Sequence, residues 1–244
     1  MLLQSRIFAT VFLAIYTSGV FFRFDGNYTE RLNWRALTGF FFFMSISTMM
    51  NALNPVELVF PSERGVFLKE EGAKLYSTFS YFLSRNIVEL PTSIIFPMLM
   101  TLIMYWFVGL SSTVDQFFIF YLVAYLLTLN GISLGLMLGA MILDQKSVAV
   151  VTPIVLLPFF LFSGFFKNSG NIPVWIGWIQ YISPIKFGFS AWIQNEVQFA
   201  AQSNVDELNL DTNLWLSVGL LLLLGVSFRM TSLFFLWLLR SRLQ

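Results

Sequence analysis

Six long apolar stretches, each parted from the next by a polar segment, constrain this chain more than any other feature. A helix needs about 20 mostly apolar residues to cross the hydrocarbon of a bilayer. Stretches of this kind cover residues 7–22, 36–59, 81–108, 117–143, 148–166 and 214–239. Charged residues make up 11% of the chain and hydrophobic ones 57%, with a mean hydropathy of +0.75. A soluble domain carries about 25% charged residues. The sequence therefore predicts an all-α integral membrane protein with six transmembrane helices. A secretory signal is the rival reading of the first stretch, because Arg6 precedes it. No small-x-small cleavage site closes that run.

Lysine and arginine set the orientation. With the N-terminus inside, Arg6, Arg64, Lys69, Lys74, Arg85, Lys146, Arg240 and Arg242 fall on the cytoplasmic side. Arg23, Arg31, Arg35, Lys167 and Lys186 fall outside. The bias predicts both termini in the cytoplasm. The longest non-spanning segment, 167–212, then lies on the outer side. Arg229, inside the last stretch, is expected to snorkel towards the cytoplasmic interface.

The composition excludes several chemistries. A net charge of +1 gives no nucleic-acid signal, and there is no Cys and no His. Disulfides, thiol catalysis, Ser-His pairs and the commonest zinc ligands are absent with them. No G-x-x-x-x-G-K-[ST] phosphate loop occurs. Carboxylates are few, and intramembrane acids of the kind that mark proton-coupled carriers are not expected. No catalytic residue and no metal site is assigned. Energy for uphill movement must come from another polypeptide or a missing domain.

The polar residues that remain are concentrated. Between the second and third stretches an elbow, residues 60–80, carries Glu63, Arg64, Lys69, Glu70, Glu71 and Lys74. Glu70 and Lys74 have the i, i+4 order of an exposed helix. Such an elbow either lets a soluble partner push on a membrane domain or is simply a solvated helix surface. The third stretch enters through Arg85 and Glu89, again i, i+4, and Pro91 and Pro97 should kink or divide it. In the second stretch Thr48 and Asn51 are too polar to face lipid. Interhelical hydrogen bonding and a substrate-facing role both remain open for them.

Gly131, Gly135 and Gly139 form a doubled G-x-x-x-G, which lets another helix approach closely. In the fifth stretch Pro153 and Pro158 are expected to interrupt the helix, while Phe159, Phe160, Phe162, Phe165 and Phe166 crowd its far half. Packing and pathway lining are both open for these rings. The outer segment is aromatic through Trp175, Trp178, Tyr181, Phe187, Phe189 and Trp192, and reads as re-entrant or interfacial helices. Asn27-Tyr28-Thr29 is a glycosylation sequon that lies very close to the membrane; an unused sequon is the expectation.

Several blocks together resemble the ABC-2 type membrane domain of G-subfamily (White type) ABC transporters. They are Glu63-Arg64-Gly65-Val66-Phe67-Leu68-Lys69-Glu70, Glu89-Leu90-Pro91, Tyr105-Trp106-Phe107-Val108-Gly109-Leu110 and Leu161-Phe162-Ser163-Gly164-Phe165-Phe166. Trp178-Ile179-Gln180-Tyr181-Ile182-Ser183-Pro184, Phe187-Gly188-Phe189 and Asn195-Glu196 follow in the family's order. The resemblance covers nearly all of the chain. It implies six spans, a dimer, and ATP with Mg bound on nucleotide-binding domains. It implies that Glu63, Arg64, Lys69, Glu70 and Glu71 couple to those domains. It places Thr48, Asn51, Leu157 and Phe160 at the substrate cavity, and Phe165 and Phe166 at the outer gate. The substrates it implies are lipid-like or amphipathic.

The departures from the family are a nucleotide-binding domain and a connecting helix not found before the first span, and an outer loop without cysteines. Met1 lies so close to the first span that a truncated product, a fragment and a gene-model piece are all readings of the chain. The alternative function is a stand-alone lipid conduit, or a regulatory partner of full-length transporters, without ATP coupling.

Overall fold

The structure is a computed structural model, and it describes residues 2–22, 31–110, 113–142, 144–166, 175–196 and 213–241. Seven α-helices follow in chain order among the described residues: α1 (Leu2–Val20), α2 (Arg31–Gly72), α3 (Thr78–Val108), α4 (Val114–Met141), α5 (Gln145–Leu161), α6 (Pro184–Glu196) and α7 (Leu214–Ser241). A 3-10 turn, Gly177–Ile182, leads into α6. Among the described residues there is no strand, as an all-α membrane domain requires. Four helices among the described residues (α2, α3, α4 and α7) are long and apolar enough to cross a membrane, and α1 and α5 are shorter apolar helices.

Helix α4 is the centre. It packs against α2, α3, α6 and α7, and nearly all of its second half is buried. Close approach to α2 depends on its glycines. A Cβ on Gly131 would lie 2.4 Å from the Met49 carbonyl oxygen, one on Gly135 3.1 Å from that of Leu53, and one on Gly139 2.9 Å from the Phe60 ring. The three glycines thus lay about three turns of α2, from Met49 to Phe60, directly on α4, the small-residue geometry of membrane helix pairs.

Helix α2 differs most from its sequence reading. The second span and the elbow are not separate elements. One helix of 42 residues runs from Arg31 through Pro55 and Pro61 to Gly72. At 1.5 Å per residue it is about 63 Å long, twice the ~30 Å hydrocarbon thickness, so one end projects. The chain turns over residues 73–77, and α3 starts at Thr78, capped by Ser77, whose Oγ accepts from the Ser80 amide at 3.2 Å. Lys74 sits in this turn at φ 58°, so the expected Glu70–Lys74 helical pair does not form. The other prolines also leave their helices unbroken: Pro91 and Pro97 lie inside α3, and Pro153 and Pro158 inside α5. Neighbouring helices hold the backbone where a proline removes one donor.

The outer segment folds back into the bundle. Trp175, Trp178 and Tyr181 are exposed, whereas α6 is buried along most of its length. Trp192 donates from Nε1 to the Phe120 carbonyl at 3.1 Å and stacks on that ring. Gln116 and Asn195 exchange two side-chain-to-backbone hydrogen bonds of 3.0 Å. The bundle therefore has a charged end, where α2 and α3 meet, and an aromatic end, where α6 is inserted.

Candidate functional site

At the charged end, two adjacent residues of α2 brace it in opposite directions. Glu63 takes an ion pair from Arg85 of α3 at 2.7 Å, and Arg85 reaches Glu89 at 2.9 Å. Arg64 turns the other way and is buried. Its Nη1 donates to the carbonyl oxygens of Gly139 (3.0 Å), Ala140 (2.9 Å) and Ile142 (3.2 Å) at the end of α4. The last four carbonyls of a helix have no partner within it, and a cation there is further favoured by the helix dipole.

The tip of α2 is tied to the turn after it. Tyr76 donates to Glu70 at 2.5 Å, and Thr78 to Glu71 at 2.6 Å. Phe67, Tyr76 and Tyr81 stack, with Phe67 and Tyr81 centroids 4.3 Å apart. Burial in this stack, and then the Glu70 carboxylate, push the Tyr76 hydroxyl up to about 12. A cavity of about 350 Å³ opens beside the stack, lined among others by Glu63, Glu70, Tyr76, Tyr81 and Arg85.

The five expected coupling residues therefore divide. Lys69 is exposed, while Glu63, Arg64, Glu70 and Glu71 all have partners inside the chain. The exposed surface of the tip is made by Val66, Lys69, Lys74 and Leu75. Sequence reading missed Val66 and Leu75 because apolar residues at a tip carry no periodic signal.

The expected cavity residues are not brought together within one chain. Asn51 donates to Thr10 of α1 at 2.9 Å, and Thr48 points at Met100 of α3, its Oγ1 3.9 Å from the sulfur. The space beside them is about 10 Å³, room for no more than about one water. Leu157 lies on another side of the bundle. It belongs to an open stripe of α5 with Val150, Ile154 and Leu161. Phe160 packs partly against the core. Within this chain Thr48 and Asn51 make interhelical contacts, to α3 and α1.

Span two also holds a carboxylate that the sequence reading passed over. Glu57 is buried and accepts from the Thr152 hydroxyl of α5, tying the two helices together. Its place near the expected end of the span hid it; the continuation of α2 puts it well inside. Arg229 likewise does not need the interface: its Nε donates to Ser133 of α4 at 3.1 Å.

At the aromatic end, α5 stops at Leu161 and the chain turns through Gly164, whose φ of 94° favours glycine. The turn lays Phe165 flat on Phe42 of α2, with centroids 4.6 Å apart and an interplanar angle of 6°. Phe189 of α6 meets Phe165 edge-on at 6.3 Å. Phe166 touches the edge of Phe42 at 5.2 Å but is mostly exposed. The two expected gate residues thus sit side by side, one packed and one open. The sequon at Asn27 and the greater part of the outer segment lie outside the described residues.

Apolar helices packed in this way around a central glycine-bearing helix define an integral, multi-pass membrane domain. The chain belongs to the ABC-2 type transporter family, whose model matches residues 1–197, and is the transmembrane part of an ABC transporter. It is 30% identical over 197 residues to protein white of Drosophila melanogaster, an alignment that covers 80% of this chain and 28% of that protein. It is 30% identical over 213 residues to the broad substrate specificity ATP-binding cassette transporter ABCG2 of Rattus norvegicus, covering 86% and 31%. To ABC transporter G family member 2 of Dictyostelium discoideum it is 29% identical over 193 residues, covering 79% and 14%. The alignments thus span under a third of each of these relatives.

Proposed function

We propose that this chain is the membrane-spanning half of an ATP-driven exporter, working as a dimer by alternating access on lipid-like or amphipathic substrates. ATP and Mg are handled by nucleotide-binding domains that press on the exposed tip of α2 at Val66, Lys69, Lys74 and Leu75. Both termini and this tip lie in the cytoplasm, and the aromatic end faces outward. The second copy meets the open apolar stripe of α5 that carries Leu157, and the substrate cavity forms there, with Phe160 behind it. Thr48 and Asn51 act one layer back, fixing α2 to α1 and α3. Phe165 and Phe166 close the outer end.

The observation that carries this reading is the continuity of α2. One rigid helix joins a solvent-accessible tip to the helices that would line the pathway, and Glu63 and Arg64 brace it on both sides. A push at the tip cannot be absorbed by a flexible linker, because there is none between Arg31 and Gly72. The test is ATP hydrolysis by the nanodisc-embedded chain, alone and joined to a G-type nucleotide-binding domain. Vanadate-sensitive hydrolysis that rises with added amphiphiles, in the joined form only, is the expected result. A well-folded dimer whose joined form hydrolyses ATP without responding to any amphiphile would count against an exporter.

A further inference from the structure

We infer that Arg64 is the joint through which movement of the α2 tip reaches α5, and that it is not a contact for the partner domain. This rests on the exporter reading above and assigns a positioning role within it. Four observations lead there. The guanidinium is almost completely buried, so no partner can reach it. Its Nη1 shares two N–H groups among three carbonyls at the end of α4, so one of these charge-assisted contacts is bifurcated. Gly139, one of these three, also has a bare Cα that lets the Phe60 ring of α2 lie against it. Finally, α5 begins directly beyond this corner, capped by Asp144, whose carboxylate accepts from the Ser147 amide at 3.1 Å.

The consequence is mechanical. Glu57 ties α2 to α5 directly at Thr152, about two turns into that helix, and Arg64 is the tie at the α4–α5 corner itself. A rotation or slide of the tip pulls on the carbonyls of Gly139, Ala140 and Ile142, and through Asp144 on the start of α5. The far part of α5 carries Leu157 and Phe160. Glu63, next in sequence, does the same for α3 through Arg85. Adjacent residues thus divide one input between two helices. Carbonyls accept from any cation of suitable reach, so a lysine can hold the corner in part, as a point charge without the fixed fork of arginine.

The experiment uses the absence of native cysteine. Spin labels are placed pairwise at Ser62 and Val114, to follow the tip end of α2, and at Lys146 and Val114, to follow the corner; all three side chains are exposed. Distances are measured in nanodiscs, with the nucleotide-binding domain joined, before and after trapping with ATP and vanadate. In the parent chain both distances should shift. In Arg64→Met the tip should still shift and the corner should not, and Arg64→Lys should restore part of the corner shift. If Arg64→Met moves the corner as the parent does, the joint is overturned while the exporter reading stands. If trapping moves neither distance in the parent, the exporter reading fails and the joint falls with it. Should Arg64→Met not fold, Arg64→Lys decides alone: a corner shift equal to that of the parent, at an unchanged tip shift, overturns the proposal.

Discussion

The two ends of the bundle are held by different physics. At the charged end, a few directional bonds fix α2: Glu63 to Arg85, Arg64 to three carbonyls, and Glu70 and Glu71 to the turn that follows. At the aromatic end, Phe42, Phe165, Phe189, Phe120 and Trp192 fix it by ring contact. Directional bonds define one arrangement and break abruptly when strained. Ring contacts are individually about 0.5–1.5 kcal/mol and tolerate sliding. On the proposed reading force enters at the charged end and cargo leaves at the aromatic end, which would set stiffness at the first and adaptability at the second.

The largest effect should come from the seam that joins the two ends. Gly131→Leu would drive a side chain against the Met49 carbonyl oxygen, where even a Cβ lies at 2.4 Å. Overpacking costs about 1–3 kcal/mol when side chains can yield, and more when backbone is hit. We expect loss of the monodisperse folded protein in size-exclusion chromatography; a variant eluting like the parent would show that α2 and α4 are less tightly joined than described.

Next, Phe42→Ala removes the flat partner of Phe165 and should cost about 1–3 kcal/mol from the lost ring contacts. Thermal unfolding should show the loss, while the tip distance between Ser62 and Val114 in the resting state stays put. A shifted tip would mean that the two ends are not separable.

Asn51→Ala is a smaller change. Interhelical hydrogen bonds in membranes average about 0.6 kcal/mol, so the variant should lose a little stability and keep its substrate selectivity. Leu157→Ala should do the reverse. Competition assays with amphiphiles of different size would distinguish them, and altered selectivity in Asn51→Ala would return that residue to the cavity.

The smallest effect is a pH dependence at the tip. The Tyr76 hydroxyl titrates at about 12 in the folded chain, against about 10 for an unperturbed tyrosine. A raised pKa means the folded state holds the proton more tightly. This contribution to stability is fully present below about pH 10 and is lost as pH rises through about 12. Tyr76→Phe should remove that part of the alkaline loss, as read from unfolding curves at stepped pH; an unchanged curve would detach Tyr76 from Glu70.

The same contrast explains what could be read from the sequence. Apolar run length is a strong signal, and each run overlaps a helix, although α2 continues past its run to Gly72. The glycine spacing pointed to close packing, and its partner proved to be α2. Proline misled in α5, because Pro153 and Pro158 break helices in water but sit inside one here. Side-chain direction was less legible still. A residue step of 100° round a helix separates Thr48 and Asn51 from the open side of the bundle, and no charge or run length records that phase. For the same reason Arg64 read as a surface charge beside Lys69, although one is buried and the other exposed. Glu57 was hidden by the expected end of its span.

The central claim is that this chain carries cargo across a bilayer when nucleotide is hydrolysed at its charged end. The most direct measurement is flux in sealed proteoliposomes holding the chain joined to a nucleotide-binding domain, with a fluorescent amphiphile added on the side of that domain. The account predicts ATP-dependent accumulation on the opposite side, abolished by vanadate and impaired in Arg64→Met. Movement that proceeds equally in both directions without ATP would contradict it and identify a passive conduit.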